Sequence, residues 1–413
     1  MTHPMNSWSV SSFVRSVAIA AAIALLFSGA AYWGWEAGRL PVPPLVSMLL
    51  VFVLTGVGAL LDVRRLGSGA FWCWAAANAV MAMAAFLWSS GSDVALGETR
   101  SRILSSLQLV SYVILLADER VRATARRAIV LSTLLAVVIN LWEITHPMAF
   151  SMSLGRSAGF YVNPNVAGAA LIVGMLLGLP AVPARLRELF MLIVAVGVFT
   201  TLSRGAILCW GAVTAWLLWQ RAVRGKRLVI LSVTGMSLAG SLAAAMIASG
   251  QLGYLSGGAE RFVRQRLGIG SKEQLNADVS ASSRSHLAMH ALEMFGERPL
   301  LGHGVASTIE WNEPESTHNV YARELAEYGL AGAWVAPLLL LLAAREVRRG
   351  ATQDHLPIAR ATAGAFVLFT GLWGFFSHNV LDDPFILVGM GLIASLPTVV
   401  PAARAALPEP TVS

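Results

Sequence analysis

The chain has 413 residues, of which 56% are hydrophobic and 13% are charged, and its formal net charge is +7. A soluble domain carries about 25% charged residues, so this composition excludes an ordinary soluble protein. The basic residues lie mostly in short links between apolar runs. Membrane topology therefore explains the positive charge better than nucleic-acid binding does. The two cysteines, Cys73 and Cys209, lie in apolar runs and predict neither a disulfide framework nor a zinc site.

Many apolar runs approach the roughly 20 residues that cross a hydrocarbon core. Lipid forces every backbone polar group into a helix or a closed barrel, and the alternating pattern of a barrel is missing. We therefore predict an all-α polytopic membrane protein with about twelve transmembrane helices. The predicted spans are 17–33, 44–61, 70–89, 103–117, 127–143, 166–183, 187–200, 203–221, 228–250, 325–344, 358–376 and 384–401.

The basic residues predict the orientation of these spans. With the N-terminus inside, most lysines and arginines of the short links fall on the cytoplasmic side, as the positive-inside rule requires. The prediction divides the chain into transmembrane helices 1–9 at 1–250, one large trans-side loop containing helices at 251–324, helices 10–12 at 325–401 and a cytoplasmic tail at 402–413. Both termini are then cytoplasmic.

This topology places four polar segments on the trans side. They are 155–165 (GRSAGFYVNPN), 201–205 (TLSRG), the large loop, and 377–384 (SHNVLDDP). Polar groups from separate segments that meet on one membrane face are what an active site needs.

Two arginines in these segments are candidates for binding an anion. Arg204 lies at a membrane boundary, where it could simply extend to the water, but it is at the wrong end for the positive-inside rule. We favour an anion partner, since the planar guanidinium suits phosphate oxygens. Ser282 or Ser283 could cap a helix running to about Phe295, which would put Arg284 in its first turn, either solvated or facing an anion.

Three histidines offer different chemistry. His318 follows Ser316 and Thr317, which could cap the next helix. A histidine in a first turn tends to be neutral, and a neutral imidazole can act as a general base. The alternative is a helix-start histidine bonded to a neighbour. His286 and His290, four residues apart, are too few ligands for a zinc site, and we predict no metal.

The remaining polar side chains of these segments are candidate substrate contacts, although several have simpler explanations. Asn163 beside Pro164 and Asp383 before Pro384 fit helix caps. Glu327 could orient a partner or pair with an arginine. The candidate substrate-binding residues are Arg156, Asn163, Asn165, His303, Asn319, Glu327, His378 and Asp383.

Taken together, the motifs GFYVNPNVAG, TLSRGA, SRS followed by ERPLLGHG, and THNVYARELAEYGLAG resemble the O-antigen ligase, O-antigen polymerase and protein O-oligosaccharyltransferase superfamily. The resemblance covers about Gly155 to Asp383, and the N-terminal third matches only in topology. His303 and His290 depart from the residue types usual at their positions.

The resemblance implies a reaction. An O-antigen glycan on undecaprenyl pyrophosphate moves to a hydroxyl of lipid A–core, at the periplasmic face of the bacterial inner membrane. Arg204 and Arg284 would stabilise the pyrophosphate leaving group, and His318 would take the acceptor proton. No cofactor is implied. Within the superfamily we favour the ligase, with the polymerase and the protein-glycosylating enzymes as alternatives.

A transporter of lipid-linked glycans is the alternative from another class. Transporters place polar residues near the bilayer midplane and often contain internal repeats. Here the middles of the spans are apolar and no repeat is evident, which favours an enzyme at the membrane interface.

Overall fold

A computed structural model describes residues 10–41, 43–44, 68–153, 156–234, 279–313, 315–349 and 357–396. Within these ranges the protein is helical and contains no strand, as predicted. The helices are α1 (Val10–Phe27), α2 (Ala30–Glu36), α3 (Gly69–Phe86), α4 (Asp93–Leu115), α5 (Glu119–Thr145), α6 (Pro164–Gly178), α7 (Arg187–Thr200), α8 (Arg204–Trp219), α9 (Val279–Glu297), α10 (Val320–Tyr328), α11 (Val335–Arg349), α12 (Pro357–Trp373) and α13 (Pro384–Ala394). Most of the predicted spans 44–61 and 228–250 lies outside the described residues.

Length and hydropathy identify fewer spans than the twelve predicted. Among the described residues, three helical stretches are long and apolar enough to cross a membrane: Gly69–Phe86, Glu119–Thr145 and Pro164–Ala181. Two bent helix pairs, if each is one span, raise the number to five. The chain is thus a multi-pass membrane protein, and the twelve-span count stays a prediction.

Helices α6 and α13 form the centre of the bundle. Every residue of α13 is buried, and so are nearly all residues of α6. Their sequences are apolar all round, which is the pattern of a helix enclosed by other helices. Both begin at a proline, since proline cannot continue a helix from a preceding turn but fits its first position. The two central helices therefore start at the links that carry the predicted polar segments.

Two of the predicted spans are broken. The first bends by 64° between α1 and α2, where Gly29 has a φ of 81° and a Cβ there would lie 2.8 Å from the Phe160 backbone. The predicted span 325–344 was wrong as a straight helix. Helix α10 ends at Gly329, which has a φ of 60°, and the chain turns by 101° into α11. A left-handed residue ends a helix, and glycine adopts that conformation without strain.

Candidate active site

A single carboxylate folds the first polar segment onto the end of α5. The Glu143 side chain is 2% exposed. Its Oε1 accepts hydrogen bonds from the backbone N–H groups of Phe150 (3.0 Å) and Ser151 (2.5 Å), and its Oε2 from those of Ala158 and Gly159 (2.7 Å each). Bonds to an ionised acceptor are roughly twice as strong as neutral ones. Sequence reasoning gave Glu143 no role, yet it organises the loop that carries Arg156.

Arg156 joins the first polar segment to the second. Its Nε donates to the Thr201 carbonyl at 2.9 Å and a terminal nitrogen donates to Asn165 Oδ1 at 2.8 Å. Asn163 caps α6, as predicted, and accepts a bond from the Asn165 backbone. The structure thus brings three of the predicted site residues together beside TLSRG.

Arg204 is the exposed first residue of α8, at the same end of the bundle. The next residue, Gly205, lies against Phe376, whose ring would be 2.9 Å from a Cβ at that position. Phe376 immediately precedes the SHNVLDDP link. The glycine therefore allows the Arg204 segment to approach the link that carries His378.

His318 and His378 face one another from two different links. Their ring centroids are 5.9 Å apart. His318 Nε2 lies 3.1 Å from Glu315 Oε2, and the side chain is about one third exposed. The predicted caps Ser316 and Thr317 were wrong. Asn319 is the N-cap of α10, and its Oδ1 accepts bonds from two backbone amides, so His318 lies just before the helix.

His378 is held in the neutral state by its surroundings. Burial, followed by the nearby positive charge of Arg323 and by His318, lowers its pKa to about 3. Within the described part of the chain, its buried Nδ1 has no hydrogen-bond partner, and neither has Thr317 Oγ1 or Asp382 Oδ1. Buried polar atoms are normally bonded, so these atoms are available to water or to a ligand's hydroxyl groups.

Near these histidines lie two fully buried arginines. Arg102, on α4, forms an ion pair with Glu324 of α10, and its Nε is 3.9 Å from Asp382. The predicted spans 70–89 and 103–117 leave Arg102 in the link between them, so this role was missed. Arg102 and the two acidic residues that neutralise it are more than 200 residues apart in the chain.

Arg323, on α10, makes the matching contacts. It bonds Glu98 of α4 at 2.6 Å and Glu327 at 3.1 Å, and Glu327 also accepts a bond from Thr308 at 2.6 Å. The predicted pairing of Glu327 with an arginine is confirmed. Removing one member of a buried pair costs about 3–5 kcal/mol, so these contacts fix α10 against α4.

Asp383, before α13, lies beside Asp382. It occupies the N-cap position of α13 but its side chain makes no capping bond. Burial and then the charge of Asp382 raise its pKa to about 8. Asp383 therefore carries a proton at neutral pH and can donate a hydrogen bond.

The glycine turn 298–304 clamps the end of α10. The backbone N–H of His303 donates to the Ala326 carbonyl and that of Gly304 to the Glu327 carbonyl, both at 2.9 Å. Gly302 has a φ of 68°, and a Cβ there would lie 2.5 Å from the Glu327 carbonyl carbon. The His303 ring is within 2.9 Å of the Met294 carbonyl of α9. The contact with Glu327 explains Gly302, and a Cβ on Gly304, which has a φ of 94°, would lie 2.7 Å from the Ser89 Cα.

Arg284 lies within α9, not at its start, so the predicted capping by Ser282 or Ser283 was wrong. It shares a helix face with the buried Leu287 and Ala291, and Ala291 packs on Ala322 and Ala326 of α10. Arg284 is thus on the side of α9 that faces α10.

The two histidines of α9 show which end of this helix lies near the segment that leads into α10. His286 and His290 reach Glu313, at 3.7 and 3.0 Å, in the segment that leads into α10. Met294 lies at the opposite end of α10, near His303. Among the described residues, no three histidine, cysteine or acidic side chains form a group that could hold a metal.

The contacts join all four polar segments at one end of the bundle. Arg156 ties the first to the second, Gly205 brings the second to the SHNVLDDP link, and His378 meets His318 of the large loop. Cations, a solvent-accessible imidazole and unbonded hydroxyl and carboxyl groups lie along this path. Such a set can bind an anionic leaving group and accept a proton from a hydroxyl.

Comparison with known proteins agrees with this chemistry. A family model described as O-antigen ligase matches residues 189–336, which include Arg204, Arg284 and His318. No curated protein matches the chain. Members of the matching family are enzymes related to glycosyl transfer. The match over residues 189–336 supports the resemblance of this chain to the O-antigen ligase superfamily.

Proposed function

We propose that this protein is an O-antigen ligase, which transfers O-antigen glycan from undecaprenyl pyrophosphate to a sugar hydroxyl of lipid A–core. The observation that carries the proposal is the pairing of His318 with His378 beside the segment of Arg204, all within one polar end of a helical bundle. The proposal places this end at the periplasmic face of the bacterial inner membrane, with both termini in the cytoplasm.

Arg204 and Arg284 bind the pyrophosphate. Arg204 is exposed at the N-terminus of α8, where the helix dipole adds to the attraction for an anion. Arg284 lies on the face of α9 that packs on α10. Its end of α9 is on the same side as the segment leading into His318, since His286 and His290 contact Glu313 there. Positive charge at these points stabilises the negative charge that develops on the leaving oxygen.

His318 is the general base. Its Nε2–H donates to Glu315, which leaves the lone pair on Nδ1 to take the acceptor proton. The acceptor oxygen forms a bond to the anomeric carbon as the bond from that carbon to the pyrophosphate oxygen breaks. The electron pair leaves with the pyrophosphate, and attack from the opposite face inverts the anomeric centre. Pyrophosphate is already a good leaving group, so the reaction is metal-independent.

Polar groups at this end of the bundle bind the sugars. His378, held neutral, offers its buried Nδ1 as an acceptor, while Asp383 offers a proton. Arg156, Asn163, Asn165 and Asn319 extend this polar surface. His303 and Glu327 already bond within the protein, and we assign them to positioning α10 beside the substrate.

A reconstitution tests the proposal. Purified protein is mixed in detergent with undecaprenyl-pyrophosphate-linked glycan and lipid A–core, with and without EDTA, and the products are separated on a glycolipid gel. We expect a glycan ladder on the core that persists in EDTA. His318→Ala should lower the rate by about 10²–10⁴-fold. Arg284→Ala should also lose most activity, whereas His286→Ala, two residues away and exposed, should retain it.

Other products in this assay would identify a different activity. Lengthened glycan on the carrier with unmodified core would identify a polymerase, and glycan on a protein acceptor an oligosaccharyltransferase. Movement of the carrier lipid across liposomes without any transfer product would identify a transporter. Full activity in His318→Ala would refute the assigned base.

A further inference from the structure

A second site lies at the opposite end of the bundle. Helix α12 runs from Arg360, near its start, to Trp373, beside the candidate active site. At 1.5 Å per residue these positions are roughly 20 Å apart. Helix α8 likewise runs from Arg204 at the active-site end to Trp216 and Gln220 at the other. A cavity of about 350 Å³ opens at that far end, between α8, α11 and α12.

The cavity has an apolar floor and a cationic mouth. Its half-buried apolar lining, here called the floor, includes Ala344, Val367 and Leu368, and its exposed polar lining, here called the mouth, consists of Arg348, Arg360 and Gln220. The Trp216 ring lies along one wall, where its Nε1 donates to the Ala361 carbonyl at 3.0 Å. A tryptophan with one bonded polar edge and an apolar body is typical of the membrane–water boundary.

The two arginines at the mouth are exposed, and no carboxylate in the described ranges neutralises them. The nearest acid on α11, Glu346, is buried and already bonded to Arg349 at 3.2 Å and to Ser68 at 3.1 Å. The neighbouring Arg345 and Arg348 line a second depression on the same surface. Among the described residues, this end of the bundle therefore presents two exposed arginines beside an apolar groove.

We propose that this cavity binds an anionic phospholipid, with the phosphodiester between Arg348 and Arg360 and an acyl chain along the groove of α8 and α12. The planar guanidinium group matches two phosphate oxygens. A free phosphate could contact the arginines of the mouth but has no acyl chain to bury against the floor. A zwitterionic lipid could bury an acyl chain against the floor but carries no net negative charge to attract the arginines. Basic pockets between transmembrane helices generally bind anionic lipid headgroups.

Native mass spectrometry of the detergent-purified chain provides the test. Phosphatidylglycerol and phosphatidylcholine with the same acyl chains are titrated separately, without any glycan substrate. We expect phosphatidylglycerol to bind more tightly. The double variant Arg348→Gln/Arg360→Gln should weaken that binding by roughly 20- to 30-fold, since each arginine near an anionic headgroup contributes about fivefold.

Three further variants separate the site from diffuse attraction. Ala344→Trp fills the groove and keeps both arginines, so it should abolish phosphatidylglycerol binding. Arg348→Lys/Arg360→Lys should retain most of it. Arg185→Gln/Arg224→Gln removes two exposed arginines from the same end of the bundle, outside the cavity, and should bind as wild type.

Equal loss in the Arg185/Arg224 control, or unchanged binding in Ala344→Trp, would overturn the proposal in favour of general surface charge. Displacement of the lipid by millimolar inorganic phosphate, with Ala344→Trp still binding, would show a phosphate site instead. None of these readouts depends on glycan transfer, so they are independent of the proposed ligase activity.

Discussion

Removing the Glu143 carboxylate should open the loop 150–159. Glu143→Ala takes the acceptor from four backbone N–H groups at once. A hydrogen bond to a charged group contributes about 1.5–3 kcal/mol, so four of them total roughly 6–12 kcal/mol. That is comparable with the whole stability of a typical domain. The chain should therefore release the loop to water rather than keep four unbonded donors buried.

Hydrogen–deuterium exchange in detergent measures this directly. In Glu143→Ala, the amides of Phe150, Ser151, Ala158 and Gly159 should lose protection by at least about 100-fold, which corresponds to about 2.7 kcal/mol. Glu143→Gln keeps one carbonyl oxygen and should give a smaller loss. Glu119→Ala, an exposed carboxylate at the start of the same helix, is the control and should leave this loop unchanged. Wild-type protection of the loop in Glu143→Ala would refute the reasoning.

Three other perturbations test the site. Arg102→Ala leaves Glu324 buried without its cation and should destabilise the protein by about 3–5 kcal/mol in detergent unfolding, whereas Arg100→Ala, exposed two residues away, should have little effect. Gly302→Ala forces a left-handed residue against Glu327 and should cost roughly 2–4 kcal/mol, while Gly296→Ala, in a helix with open space around it, should be neutral or stabilising. Asp383→Asn should change the pH dependence of stability. The folded-state pKa of Asp383 is raised to about 8, so its contribution to stability falls as pH rises from about 4 to 8, and the variant should lack that contribution in unfolding measured across this range.

The helices and the polar end of the bundle could be predicted because their signals are local. Apolar runs mark α3, α5 and α6, and Asn-Pro marks the cap of α6. The approach of His378 to His318 was predicted only as a shared membrane face, since their contact depends on how two separate links fold. The helix start at Asn319 was missed because Ser316 and Thr317 are equally good caps in isolation, and the choice between them is made by packing.

The two ion pairs between α4 and α10, Arg102–Glu324 and Glu98–Arg323, were missed because each crosses more than 200 residues. In sequence, a charged stretch such as 98–102 looks like an extramembrane link. A signal was nevertheless present: Glu98 and Arg102 are four residues apart, as are Arg323 and Glu327. Each pair places opposite charges on one helix face. Two such pairs in an apolar protein indicate two helices that can pair with each other.

This crosswise pairing explains how a short helix can position the proposed base. Helix α10 has nine residues and turns by 101° into α11, so apolar packing along one long helix cannot set its direction. Arg102 bonds Glu324 while Arg323 bonds Glu98, which fixes both the register and the rotation of α10 on α4. The glycine turn then holds its far end through the Ala326 and Glu327 carbonyls. These two constraints set the position of the helix start, and His318, just before the N-cap Asn319, lies with its ring centroid 5.9 Å from that of His378. The buried ion pairs therefore position α10, because the free-energy cost of separating the charges keeps the proposed base, His318, next to the neutral His378.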